Sequence, residues 1–97
     1  MRSAEAGEVT VHLPSVLAQM VGGERRFAVH GETVGEALAD LVRRAPALGV
    51  HLFDDAGALR RHILCLHADV YARGASGLAR PVHAGDTITI LNSVAGG

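Results

Sequence analysis

The sequence predicts an α+β domain, one main helix packed against a mixed sheet of four or five strands. Three observations carry that reading. The segment TVGEALADLVRRAPAL spaces its apolar residues for a helix, whereas EVTVHL and TITIL alternate as strands do. The order along the chain is strand, strand, helix, strand, short segment, strand. A single helix among several strands has to bury its apolar stripe on one face of their sheet.

Each element has its own signal. EVTVHL places Val9, Val11 and Leu13 on one face and ends at Pro14, which cannot donate to a ladder. Ser15–Val21 is longer than a tight turn needs, so an irregular loop or a helical turn is expected there. Gly22-Gly23 marks a turn, and Arg26 to Val29 reads as the returning strand of a hairpin. Thr33 and Glu36 form a T-x-x-E capping box at the start of the main helix. Val34, Ala37, Leu38, Leu41 and Val42 then recur at the spacing of one helical face. Arg43 and Arg44 suit the negative end of the helix dipole, and Pro46 stops the helix.

FDDAGALRR reads as a polar turn, and HILCLHADV as a strand that is central or covered on both faces. ARGASGLARPV is expected to be loop with a short strand at its end, and HAGD a turn. TITIL is the last strand, with Ile88 and Ile90 on one side, and its clean alternation predicts a central place in the sheet. The organisation expected is a disordered N-terminus over 1–7, one domain over 8–92 and a flexible tail over 93–97.

Composition narrows the function. Ninety-seven residues supply one core, and with only Phe27, Phe53 and Tyr71 aromatic, that core is aliphatic. A net charge of −1 argues against nucleic acid and against an anionic membrane as partners. All nine basic residues are arginine; without lysine, only the α-amino group could accept an isopeptide bond. A single cysteine suits a reducing compartment. MRSAEAGE lacks the apolar core of a signal peptide, and no apolar run approaches the ~18 residues of a membrane span, so a cytoplasmic protein is expected.

No catalytic set emerges. Cys65 lies in an apolar run without a basic sequence neighbour, which favours a buried small hydrophobe over a reactive thiol or persulfide relay. His12, His30, His51, His62, His67 and His83 are scattered and suggest no metal site. Asp54, Asp55 and Asp69 are placed as turn residues, and Gly22-Gly23 lacks the Lys and helix of a phosphate loop. Arg60, Arg61, Arg73 and Arg80 are candidates for the rim of a docking surface, with a solvated face as the alternative. Gly96-Gly97 follows the last strand directly; glycine loses the most freedom on ordering, so the pair contributes little to a fold. It is either a frayed end or a working one.

A hairpin, one capped helix, further strands and then VAGG together resemble the ubiquitin-like β-grasp sulfur carriers, the ThiS/MoaD-like family. GDTITIL, VAGG and GETVGEALADL are the segments that carry the likeness, which spans Glu8 to Gly97. The chain is most similar to the branch that carries sulfur for cysteine synthesis in actinobacteria. It shares Val9-Thr10-Val11, Leu13-Pro14, Leu17, Gly22-Gly23, Gly77-Leu78-Ala79, Leu91 and Val94-Ala95-Gly96-Gly97 with that branch. It departs from the molybdopterin branch at Asn92-Ser93, where proline is usual, and from many relatives at His67-Ala68.

The resemblance implies a carrier and not an enzyme. An ATP-dependent activating enzyme would adenylate the Gly97 carboxylate, and sulfur would replace AMP to leave a C-terminal thiocarboxylate. Val94, Ala95 and Gly96 would thread into the partner, with Val94 as an apolar anchor. The expected sulfur acceptor is a pyridoxal-phosphate-dependent cysteine synthase, followed by a zinc metallopeptidase. The chain itself is expected to bind no cofactor or metal. Molybdopterin, thiamin thiazole and secondary-metabolite routes remain alternatives. So do a ubiquitin-like protein modifier and a binding module that uses the exposed sheet face.

Overall fold

The alternation in EVTVHL becomes strand β1 (Glu8–His12), with Val9 and Val11 buried and Glu8, Thr10 and His12 half-buried. This computed structural model describes residues 8–72 and 74–92. The expectations for residues 1–7 and 93–97, and for Arg73, therefore lie outside the described residues.

Ser15–Val21 is the helical turn anticipated as one of two possibilities: α1 (Ser15–Ala18) runs into a 3₁₀ turn at Gln19–Val21. Gly22 and Gly23 follow with φ of 75° and 88°, the left-handed region where a side chain is strained. They turn the chain into β2 (Arg26–His30), which pairs antiparallel with β1.

The main helix α2 spans Val34–Arg44. The Thr33 side chain accepts from the Glu36 N–H at 3.1 Å, and Glu36 reaches back to accept from the Glu32 N–H at 2.8 Å. Val34, Ala37, Leu38 and Leu41 are buried as the spacing predicts. Val42 is only half-buried, and the fifth buried position is Asp40. Beyond Pro46 the chain makes a 3₁₀ turn (Pro46–Leu48) and α3 (Gly49–Leu52), short pieces that supply Leu48 and Leu52 to the core.

HILCLHADV is not one strand. β3 (Ile63–His67) and β4 (Val70–Ala72) form a hairpin across Ala68-Asp69, whose φ values of 52° and 66° are both left-handed. A two-residue hairpin turn needs that backbone because its twist then matches the strands. β3 is interior, between β5 and β4, but it is covered on one face only: Ile63, Cys65 and His67 are buried while Leu64 and Leu66 are half-buried. The long loop holds a helical turn, α4 (Gly74–Leu78), and its end makes a single bridge from Pro81 to Thr33 in place of a strand.

β5 (Thr87–Asn92) completes a five-stranded sheet in the order β2-β1-β5-β3-β4. It is the central strand, as its alternation predicts, parallel to β1 and antiparallel to β3. Val9, Val11, Val29, Ile63, Cys65, Ile88 and Ile90 from the sheet meet Leu38, Leu41, Leu48 and Leu52 in one aliphatic core. The architecture is the ubiquitin-like β-grasp, α+β with a mixed sheet.

Candidate functional site

The segment the resemblance singles out leaves from β5. The last residues of β5 are paired with β3 alone: Leu91 lies opposite Leu64 and Asn92 opposite Ile63, whereas the ladder with β1 ends at Thr89. Gly97, Gly96, Ala95 and Val94 themselves lie outside the described residues. What the fold defines is the platform from which that segment continues.

The platform has two surfaces. On the sheet face turned away from α2, Leu64, Leu66 and Leu91 are half-buried and Tyr71 is 60% exposed; Leu66 is opposite both Tyr71 and Thr89. Alternation places these residues together, since the core-facing set occupies the intervening positions. At the end of the sheet, strand directions gather Arg25 and Arg26 at the start of β2, His12 at the end of β1, and Arg60, Arg61 and His62 before β3. A shallow cavity lined by His12, Pro14, Arg25, Arg26, Thr89 and Leu91 sits on one flank of β5.

The opposite end of the sheet is built differently. Arg80 Nε donates to His67 Nδ1 at 3.0 Å, which leaves the Nε2–H to donate to Asp86 Oδ2 at 2.8 Å. The His83 backbone N–H donates to the same oxygen at 2.9 Å. These contacts, His67 first, hold the Asp86 carboxyl below its ordinary pKa. His67 is 5% exposed, so the chain from Arg80 to Asp86 ties the last loop to the β3–β4 hairpin. Arg80 is half-buried, and its guanidinium braces a buried ring.

Asp40 is the second buried polar group. Desolvation alone would raise its pKa, but the His30 N–H at 2.9 Å, Arg44 Nε at 2.9 Å and the Arg43 guanidinium outweigh it and bring it down to about 2. Both networks join separate elements: His30 and Asp40 are 10 residues apart and His67 and Asp86 19, while Arg43 and Arg44 reach Asp40 along α2 itself, at i+3 and i+4.

The remaining candidates take structural places. Cys65 is buried, and burial pushes its thiol up to about 11, which removes it as a thiolate relay. Asp54 Oδ1 accepts from the Ala56 and Ala58 N–H groups at 2.9 and 3.0 Å, so it is the turn residue expected, and Asp69 sits in the hairpin turn. Among the described residues no three His, Cys, Asp or Glu come together as a metal group. Among them too, no helix is long and apolar enough to cross a membrane.

No family model matches the chain. It is 34% identical over 91 residues to the sulfur carrier protein CysO of Mycobacterium tuberculosis, an alignment covering 92% of this chain and 98% of that protein. Among solved structures, SAMP1 of Haloferax volcanii matches with a TM-score of 0.81 and 34% identity, over 94% of this chain and all of the other. CysO in the BexX/CysO complex of Amycolatopsis orientalis matches at 0.78 and 35%, over 92% of this chain and 99% of the other. The fold, the interior strand leading into VAGG and this whole-chain identity agree: the chain belongs to the CysO family of sulfur carrier proteins.

Proposed function

We propose that this protein carries sulfur on the carboxylate of Gly97 for the synthesis of cysteine. The observation that supports it most is the 34% identity to CysO over nearly the full length of both chains. Gly97 would attack no substrate by itself. A partner enzyme would join its carboxylate to AMP, releasing pyrophosphate, because a carboxylate oxygen becomes a leaving group only once phosphorylated. Sulfide would then displace AMP and leave the thiocarboxylate, with the C–O bond broken and a C–S bond formed.

Gly96 suits this role because a residue without a side chain admits the segment to a narrow active site. Val94 and Ala95 would extend along the partner's groove, with Val94 as an apolar anchor. The sulfur would pass to an activated serine on a pyridoxal-phosphate-dependent synthase. A zinc peptidase would then release the added amino acid. The catalysts are the partners. That a structural relative is a complex of BexX with CysO supports partner docking as the mode of action of this fold.

The test is the intact mass of the full chain after incubation with a cognate adenylating enzyme, ATP and sulfide. One oxygen exchanged for one sulfur at Gly97 is the expected result. An unchanged mass, with the chain intact through Gly97, would overturn the reading. A second reading, protein modification through the same adenylate, is favoured by the likeness to SAMP1, a small archaeal modifier protein. It predicts amide-linked conjugates that disappear when Gly97 is deleted.

A further inference from the structure

A net charge of −1 hides a marked separation of charge along the strands. At the end where β5 starts lie Glu8, Glu32, Asp69 and Asp86, joined by Asp40 through its bond to the His30 backbone. The described arginines near this end are already engaged: Arg43 and Arg44 by Asp40, and Arg80 by His67. At the end where β5 finishes, Arg25 and Arg26 stand on one side and Arg60 and Arg61 on the other.

Arg60 Nε donates to the Val50 carbonyl at 2.8 Å. Arg25, Arg26 and Arg61 are exposed and make no side-chain hydrogen bond or ion pair among the described residues. Glu24, the carboxylate next to them in the chain, forms no ion pair there either. Of the described arginines, the three without partners all sit at the end of the sheet from which Ser93–Gly97 continues.

Resting on the sulfur-carrier reading, we propose that Arg25, Arg26 and Arg61 form a docking collar. It recognises carboxylates that rim the entrance to the activating partner's active site. The spacing favours a protein rim over one small anion. β2 and β3 are three strand spacings apart, roughly 14 Å, with β5 between them, too wide for a single phosphate to bridge. A nucleic acid is disfavoured because its charge would run on toward Glu8, Asp69 and Asp86. Exposed guanidiniums left unsatisfied in the free protein lose no internal partner on docking, and rim charges act mainly by steering encounter. Steering also orients the molecule, since the carboxylate end is repelled as the arginine end is drawn in.

The test uses the full chain and its cognate adenylating enzyme without ATP, with association followed at low and high salt. Sulfur loading is read by intact mass on the same samples. Arg25→Glu/Arg26→Glu and, separately, Arg61→Glu should each weaken association about tenfold or more, mainly through the on-rate, and flatten its salt dependence. Arg25→Gln/Arg26→Gln should fall between, and unchanged thermal midpoints would show that all variants fold. Variants that associate as the unaltered chain does, or an unaltered chain indifferent to salt, would overturn the collar. Tighter binding to a DNA duplex than to the enzyme would overturn it too. Normal, arginine-dependent association without any sulfur loading would strike the sulfur reading and leave the collar standing.

Discussion

Where β5 begins, Arg80, His67 and Asp86 are bonded in series around a buried ring; where β5 ends, the side chains of Arg25, Arg26 and Arg61 make no hydrogen bond or ion pair among the described residues. The same sheet thus uses its charges for two purposes. At the first end Arg80 and Asp86 find partners inside the molecule, which limits the desolvation cost of keeping a half-buried charge. At the second end charge stays in water, where it adds little to stability and remains available to another protein. On the docking proposal, one end holds the fold and the other would meet the partner.

The comparison breaks most visibly at His67. His67→Ala removes the ring that Asp86 and Arg80 share and leaves them only the His83 N–H and the residue-67 carbonyl, an expected cost of about 1–3 kcal/mol in a urea titration. Hydrogen exchange should quicken in the β3–β4 hairpin and the Ala79–Asp86 loop before it does in β1 or β2. Protection lost evenly over the whole sheet would mean that the series is not local.

Asp40 sharpens the comparison through pH. Its folded pKa lies below its unfolded one, so its stabilisation is present above about pH 4 and is lost as pH falls toward 2. Asp86 is shifted in the same direction. Asp40→Asn should therefore cost about 1–2 kcal/mol near neutral pH, less than the full shift because both guanidiniums face solvent. The cost should shrink as the unaltered protein is acidified below pH 4. A deficit that stays constant down to pH 2 would show that geometry, not ionisation, is what Asn fails to supply. The smallest effect belongs to the other end: Arg25→Gln/Arg26→Gln should change stability by no more than about 0.5 kcal/mol.

What could be read in the chain divides along the same line. The capping box at Thr33 and Glu36, the Gly22-Gly23 turn and the strands at Val9 and Ile88 are local patterns, written within a few residues of one another. The β3–β4 hairpin was hidden because its turn is Ala68-Asp69, without the glycine or asparagine that usually signals left-handed backbone, inside an otherwise unbroken apolar run. Asp40 had a local signal in Arg43 and Arg44, three and four residues on, but its burial was hidden because that depends on the His30 N–H from another element. The arginines were visible as residues, but their sorting into bonded and unbonded sets depends on which strand end each one reaches. Arg80 and Arg61 look alike in the sequence and lie at opposite ends of the sheet.

On the sulfur-carrier proposal, Gly97 is the working end of the domain. The most direct measurement is intact mass after enzymatic loading, comparing the unaltered chain with one extended by a single alanine beyond Gly97. The extension moves the carboxylate by about 3.5 Å. Sulfur gained by the unaltered chain and not by the extended one is the predicted result. Equal loading of the extended chain, without trimming back to Gly97, would contradict the claim.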